Sequence, residues 1–133
     1  MARLTSDDVA CWVLKTAGEV VVGDLTRCVR PSYRLGLMAP GQPCLLWRSG
    51  RHHPGVHALG VLTGPVRQDD DGPVVPVRFT RLAEPVPRAE LVADPVFGAA
   101  EVIRMPAGSN PSWLTAAQYA VVLARTGPAR LGP

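Results

Sequence analysis

Apolar residues in this chain come in short runs, and proline, glycine and charged residues separate them. Residues 9–16 (VACWVLKT) are β-branched and apolar and close on Lys15 and Thr16, which predicts a buried strand. Val20, Val21 and Val22, within residues 18–24, predict a short strand or turn. Residues 26–41 (TRCVRPSYRLGLMAPG) carry Pro31 and Pro40, and Ser32 is placed to cap one or two helical turns through Leu37. Residues 44–48 (CLLWR) predict a strand, and residues 51–55 (RHHPG) a loop. Residues 56–66 predict a long strand, and Gly60 in its middle marks a bulge or a close backbone approach.

Residues 68–72 (QDDDG) form a solvated turn before a strand over residues 73–82 (PVVPVRFTRL). Pro76 cannot donate to a ladder, which places that strand at an edge or at a bulge. Residues 87–94 (PRAELVAD) predict a short helix that Pro95 ends, and residues 100–105 (AEVIRM) a last short strand. The clearest element is the final helix. Thr115 and Gln118 form a capping box, Leu114 and Tyr119 suit a hydrophobic staple, and Arg125 suits the negative end before Gly127-Pro128. About five to six short strands and two or three short helices do not alternate as βαβ units. They predict an α+β fold, a curved and mainly antiparallel barrel with helices packed on it. Residues 1–133 read as a single domain, with its core at about 9–125 and a frayed tail at 126–133.

Composition narrows the class. The chain has 133 residues with 47% hydrophobic and 19% charged, enough to bury a core and too apolar for wholesale disorder. No apolar run approaches the roughly 18 residues of a membrane span, and the N-terminus has no long apolar signal segment. Cys11, Cys28 and Cys44 are an odd set without CxxC spacing, which fits a reducing cytoplasm better than a disulfide framework or a thiolate zinc site. The formal net charge is +3, and Lys15 is the only lysine among the 14 basic residues. That arginine bias also follows from a GC-rich genome, so by itself it does not indicate nucleic-acid binding.

No nucleophile elbow, zinc-protease motif or phosphate loop is present, and no enzyme activity, cofactor or metal is predicted. Ser49 beside His52, His53 and His57 is the nearest approach to a nucleophile with a base, but the acids nearest in sequence, Asp69 to Asp71, lie in a solvated turn. The same histidines match no common metal spacing. Trp12, Tyr33, Trp47 and Trp113 are the better signal, because each lies among Arg, Lys or Ser in WVLKT, VRPSYR, LLWRSG and NPSWLT. Aromatic faces with polar neighbours build stacking platforms for bases, although tryptophan is usually core or half-core.

These segments, in order and spacing, resemble the EVE domain family over about residues 9–125. CWVLKT is similar to that family's opening Tyr-Trp-Leu-x-Lys. In the next block Val29-Arg30 matches a Gly-Val-Arg-Asn segment, Leu37-Met38 a helix end, Gly41 a glycine, and Leu46-Trp47-Arg48-Ser49 a strand ending in Phe-Tyr-His-Ser. GVHALGVLTGPV resembles the following glycine-bearing strand around Gly55 and Gly60. VPVRFTRLAEPVPRAELVADPVF resembles the later Val-x-Val strand, Leu-x-x-Pro-Val and short helix, and MPAGSNPSWLTAAQYAVVL the closing strand and helix. The chain departs from the pattern at Pro31, at Trp47-Arg48, at Thr26-Arg27 and in the short QDDDG turn.

The resemblance implies a PUA-like pseudobarrel, similar to YTH domains, with a pocket for a nucleobase, modified or not, in DNA or RNA. Carried over by position, Trp12 and Lys15 lie on the first strand by the pocket, Arg30 and Ser32 where YTH domains place a cage aromatic, and Trp47 and Ser49 at the end of the next pocket strand. Asn110 and Trp113 precede the last helix and close the rim. Arg30 is not aromatic, so a partial cage is expected, with Trp47 or Trp113 stacking and Arg30 or Lys15 on phosphate or a base edge. The readings that compete with it are a small-molecule or protein interaction module on the same fold, and a nucleoside or RNA hydrolase.

Overall fold

The computed structural model describes residues 3–127, so most of the 126–133 tail expected to fray lies outside the described residues. The strands are β1 (Cys11–Thr16), β2 (Gly23–Cys28), β3 (Pro43–Arg48), β4 (Gly55–Leu62), β5 (Arg67–Asp69), β6 (Gly72–Pro87) and β7 (Ser112–Leu114). The α-helices are α1 (Arg88–Ala93), α2 (Glu101–Arg104) and α3 (Ala116–Arg125), with 3-10 turns at Ser6–Asp8, Tyr33–Leu37 and Phe97–Ala99. They build one 7-stranded mixed sheet in the order β2-β6-β4-β3-β1-β7, with β5 added to β6. Only β1 and β3 run parallel, and β2 and β7 end the sheet without pairing to each other.

The apolar runs of β1 and β3 bury both faces of the sheet, and the two-residue period of a strand sorts them into separate cores. Cys11, Val13, Leu45 and Trp47 face one core, which Leu91, Phe97, Val102 and Val122 from the helices and the 3-10 turn cover. Trp12, Leu14, Cys44 and Leu46 face the other, which Val75, Val77 and Phe79 of β6 and Val29 and Met38 enclose as the sheet curls. One core is thus the inside of an open barrel and the other is roofed by helices, which is a pseudobarrel. Gly60 is the close approach its sequence position predicts: a Cβ there would come within 2.2 Å of the Arg78 carbonyl oxygen.

Ser32 accepts from the Arg34 amide and caps the 3-10 turn, and Thr115 and Gln118 form the full capping box of α3. From the last turn of α3, Arg125 ion-pairs with Asp94 (3.3 Å) and Glu90 (3.5 Å), so it fastens the last helix to α1.

Several expectations need correction. The valines at 20–22 form no strand; the strand follows them as β2, whose alternating exposed and half-buried residues fit a sheet edge with one wet face. Residues 100–105 form the one-turn helix α2 instead of a strand, and β7, three residues long, takes the free side of β1. β6 is interior and runs 16 residues. Pro76 is tolerated there because its backbone faces the stretch between β4 and β5, where its carbonyl accepts from Thr63 N (2.9 Å) and its ring lies against Gly64.

Candidate nucleic-acid interface

β7 pairs only with Cys11–Val13 of β1, so the rest of β1 faces β2 across a seam that side chains bridge. β1 ends at Lys15 and Thr16, and the Lys15 amide donates to Asn110 Oδ1 (3.2 Å). Asn110 Nδ2 donates to the Cys28 carbonyl at the end of β2 (3.3 Å), and the Asn110 carbonyl accepts from Arg30 N (2.8 Å). Arg27 Nη2 spans the same gap to the Lys15 carbonyl (3.0 Å). Lys15 Nζ donates to the carbonyls of Pro106 and Gly108, both at 3.4 Å, and so ties down the loop that carries the cis Asn110–Pro111 peptide. The structure therefore brings Lys15, Arg30 and Asn110 together. The Arg30 side chain is exposed and has no ion pair among the described residues.

Next to this knot lies a cleft of about 420 Å³ lined by Trp113, Tyr33, Arg34, Glu101, Arg3 and Asp8. Arg34 meets Glu101 through two parallel bonds, Nη1–Oε1 at 2.8 Å and Nη2–Oε2 at 2.7 Å, and also donates to the Pro111 carbonyl (3.0 Å). Ser112 Oγ donates to Glu101 Oε1 (2.8 Å). The hydrogen bond from Arg34 is the main cause that holds the Glu101 carboxyl below its ordinary pKa. Burial is the main cause that lowers the Lys15 pKa, Glu101 opposes it, and Arg30 and Arg34 add to it. Lys15, Arg27 and Arg30 place three basic residues at the seam. Arg3 stacks 3.9 Å over the Tyr33 ring, and Tyr33 Oη accepts from Leu4 N (2.9 Å).

The other expected residues lie elsewhere. Trp12 is fully buried, and its indole N–H donates to Gln42 Oε1 (2.8 Å). Trp47 is 3% exposed and stacks on Phe97 with ring centroids 6.0 Å apart. Neither offers a ring face to a ligand, because the alternation of β1 and β3 directs both into the cores. Trp113, on the short end strand β7, is half-buried. Ser32 serves as the cap already described. Ser49 donates through Oγ to the Thr16 carbonyl (3.3 Å) and prolongs the β1–β3 pairing through its amide. No group of three or more His, Cys, Asp or Glu among the described residues is placed to hold a metal ion. Burial pushes the Cys44 thiol up to about 12 and raises Cys11 as well, so neither is a ready nucleophile.

Sequence reasoning missed Arg34 and Glu101, the charge pair that shapes the cleft. Their contact spans 67 residues of chain, and nothing local in the sequence announces it. Tyr33 had a signal, an aromatic flanked by arginines in VRPSYR, although the resemblance pointed to its neighbours Arg30 and Ser32.

No protein-family model and no curated protein sequence matches the chain. Solved structures do. The chain is similar to a hypothetical protein from Leishmania major, with a TM-score of 0.76 and 17% identity over 91% of this chain and 96% of that one. A protein from Pseudomonas putida gives a TM-score of 0.72 and 15% identity over 86% and 98%. The human THYN1 protein, solved in complex with DNA containing 5-methylcytosine, gives a TM-score of 0.68 and 15% identity over 88% and 97%. These likenesses establish the architecture: the chain has the PUA-like pseudobarrel fold, open between β2 and β7.

Proposed function

We propose that this chain is a nucleic-acid-binding module of the EVE type, which takes a nucleobase into the cleft beside Trp113 and sets the phosphate backbone against Arg30 and Lys15. One observation carries the reading. Of the three tryptophans, the one left half-buried lines a cleft that also holds Tyr33 and adjoins the positively charged seam. The cleft's volume falls in the range of roughly 300–1,000 Å³ usual for ligand sites. An aromatic wall next to arginines is how proteins stack a base and hold its backbone without reading a long sequence.

The likeness to a fold solved with 5-methylcytosine DNA supports nucleic acid as the partner class. The small net charge of +3 suits a few phosphate contacts rather than a coat around a duplex.

The test is fluorescence anisotropy with labelled oligonucleotides of DNA and RNA, single- and double-stranded, with cytosine or 5-methylcytosine, at two salt concentrations. Binding that weakens with salt and is lost in Trp113→Ala supports the reading. Equal affinity in wild type, Trp113→Ala and Arg30→Ala contradicts it.

A further inference from the structure

A second cavity, of about 520 Å³, shares no lining residue with the Trp113 cleft and is lined by Arg48, Arg81, His53, His57, Glu19 and Pro85. It exists because the sheet is interrupted there. Leu46 pairs with Ala58 but Trp47 pairs with Val56, so His57 is an extra residue in β4. Across β6, Val56 pairs with Val86 and Ala58 with Arg81, so residues 82–85 leave the ladder. Such bulges re-aim side chains and recur beside binding sites. The segment 17–22 crosses the cavity, held by Arg81 Nη2 donating to the Val20 carbonyl (2.8 Å).

Two arginines and one acid, Glu19, line this cavity. Neither Arg48 nor Arg81 forms an ion pair among the described residues, and Arg48 Nε is buried with no hydrogen-bond partner there. Arg27 and Arg125 also keep a buried Nε without a partner, but their Nη atoms bond Lys15 and Asp94; the Arg48 guanidinium has no such bond among the described residues, and an unmet buried N–H is costly. His57 is buried and donates from Nε2 to the His53 carbonyl (2.6 Å), a bond that requires the proton on Nε2. The acid of the lining, Glu19, is exposed on the crossing segment.

The geometry points to a phosphate-binding site formed by Arg48 and Arg81, separate from the cleft at Trp113. Planar guanidinium groups match the oxygens of a phosphate through paired hydrogen bonds, and Arg48 and Arg81 bring two of them to one cavity. The phosphate belongs either to a free nucleotide or to a nucleic-acid backbone. The site stands whether or not the base cleft does.

Isothermal titration and amide chemical-shift mapping with cytidine 5′-monophosphate, cytidine, inorganic phosphate and a short oligonucleotide test it. The variants are Arg48→Gln, Arg81→Gln and Trp113→Ala, each checked for native circular dichroism. Binding of the monophosphate but not of cytidine, weakened at least tenfold in Arg48→Gln and unchanged in Trp113→Ala, supports the site and identifies a free nucleotide as its source. Oligonucleotide affinity that falls in Arg48→Gln, with no monophosphate binding, supports the site and identifies the backbone. Affinities for every probe that are the same in wild type, Arg48→Gln and Arg81→Gln overturn it. In that case a loss confined to Trp113→Ala leaves the base cleft standing alone.

Discussion

Arg34 in the seam and Arg48 in the second cavity are both half-buried arginines beside the parallel pair β1–β3, and the protein treats them differently. Arg34 meets Glu101 at 2.7 Å and is further held by the Pro111 carbonyl. Arg48 has no acid, and its buried Nε has no acceptor among the described residues. A matched arginine is a structural brace: it fixes the 3-10 turn at Tyr33–Leu37 against α2 and β7 and so sets the shape of the cleft. Arg48, with no acid and no hydrogen bond to its guanidinium among the described residues, keeps its donors for the phosphate proposed above. The contrast teaches that the number of arginines in a cleft says little about binding until the partner of each is known.

The comparison can be broken in four places. The largest effect is expected in the core between the two regions. Trp47→Ala removes the ring stacked on Phe97 and should lower stability by about 3–5 kcal/mol in chemical denaturation. A loss below about 1 kcal/mol would mean that the ring is not core. Next, Glu101→Ala strands the Arg34 charge in a largely desolvated place and should cost about 2–3 kcal/mol, whereas Arg48→Gln should leave stability unchanged or slightly raised. Equal losses in the two variants would erase the distinction drawn here.

Acid gives a third view. Glu101 is held below its ordinary pKa by Arg34, so its stabilising contribution is present above the normal carboxyl range and is lost as pH falls through the depressed value. Glu101→Gln should therefore flatten the acid limb of the stability–pH curve, and an unchanged limb would count against the pairing. The smallest effect belongs to Arg30. Its exposed guanidinium should contribute one phosphate contact, so Arg30→Ala should weaken oligonucleotide binding a few-fold and reduce the slope of log affinity against log salt by about one.

Much of the scaffold was legible because its signals are local. The apolar runs of β1 and β3, the Ser32 cap, the capping box at Thr115 and Gln118 and the crowded Gly60 each follow from a few neighbouring residues. β2 escaped because an edge strand with a wet face reads as polar, and α2 because one helical turn is shorter than a helical period can establish. At the candidate site, Lys15, Arg30 and Asn110 were named and do meet. The separation of Trp113 from Trp12 and Trp47 was not legible. All three lie on strands, and only the sheet order shows that β7 is an end strand while β1 and β3 are interior. Arg34–Glu101 and Arg48–Arg81 are tertiary pairings of distant segments, which single-sequence periodicity does not encode.

The central claim is that nucleic acid meets this fold at the seam beside Trp113. Amide chemical-shift mapping during titration with a short single-stranded oligonucleotide tests it most directly. The largest perturbations should cluster at Lys15, Arg30, Tyr33, Asn110 and Trp113, and should disappear in Trp113→Ala. Perturbations that leave those residues unmoved, or that persist unaltered in Trp113→Ala, would contradict it.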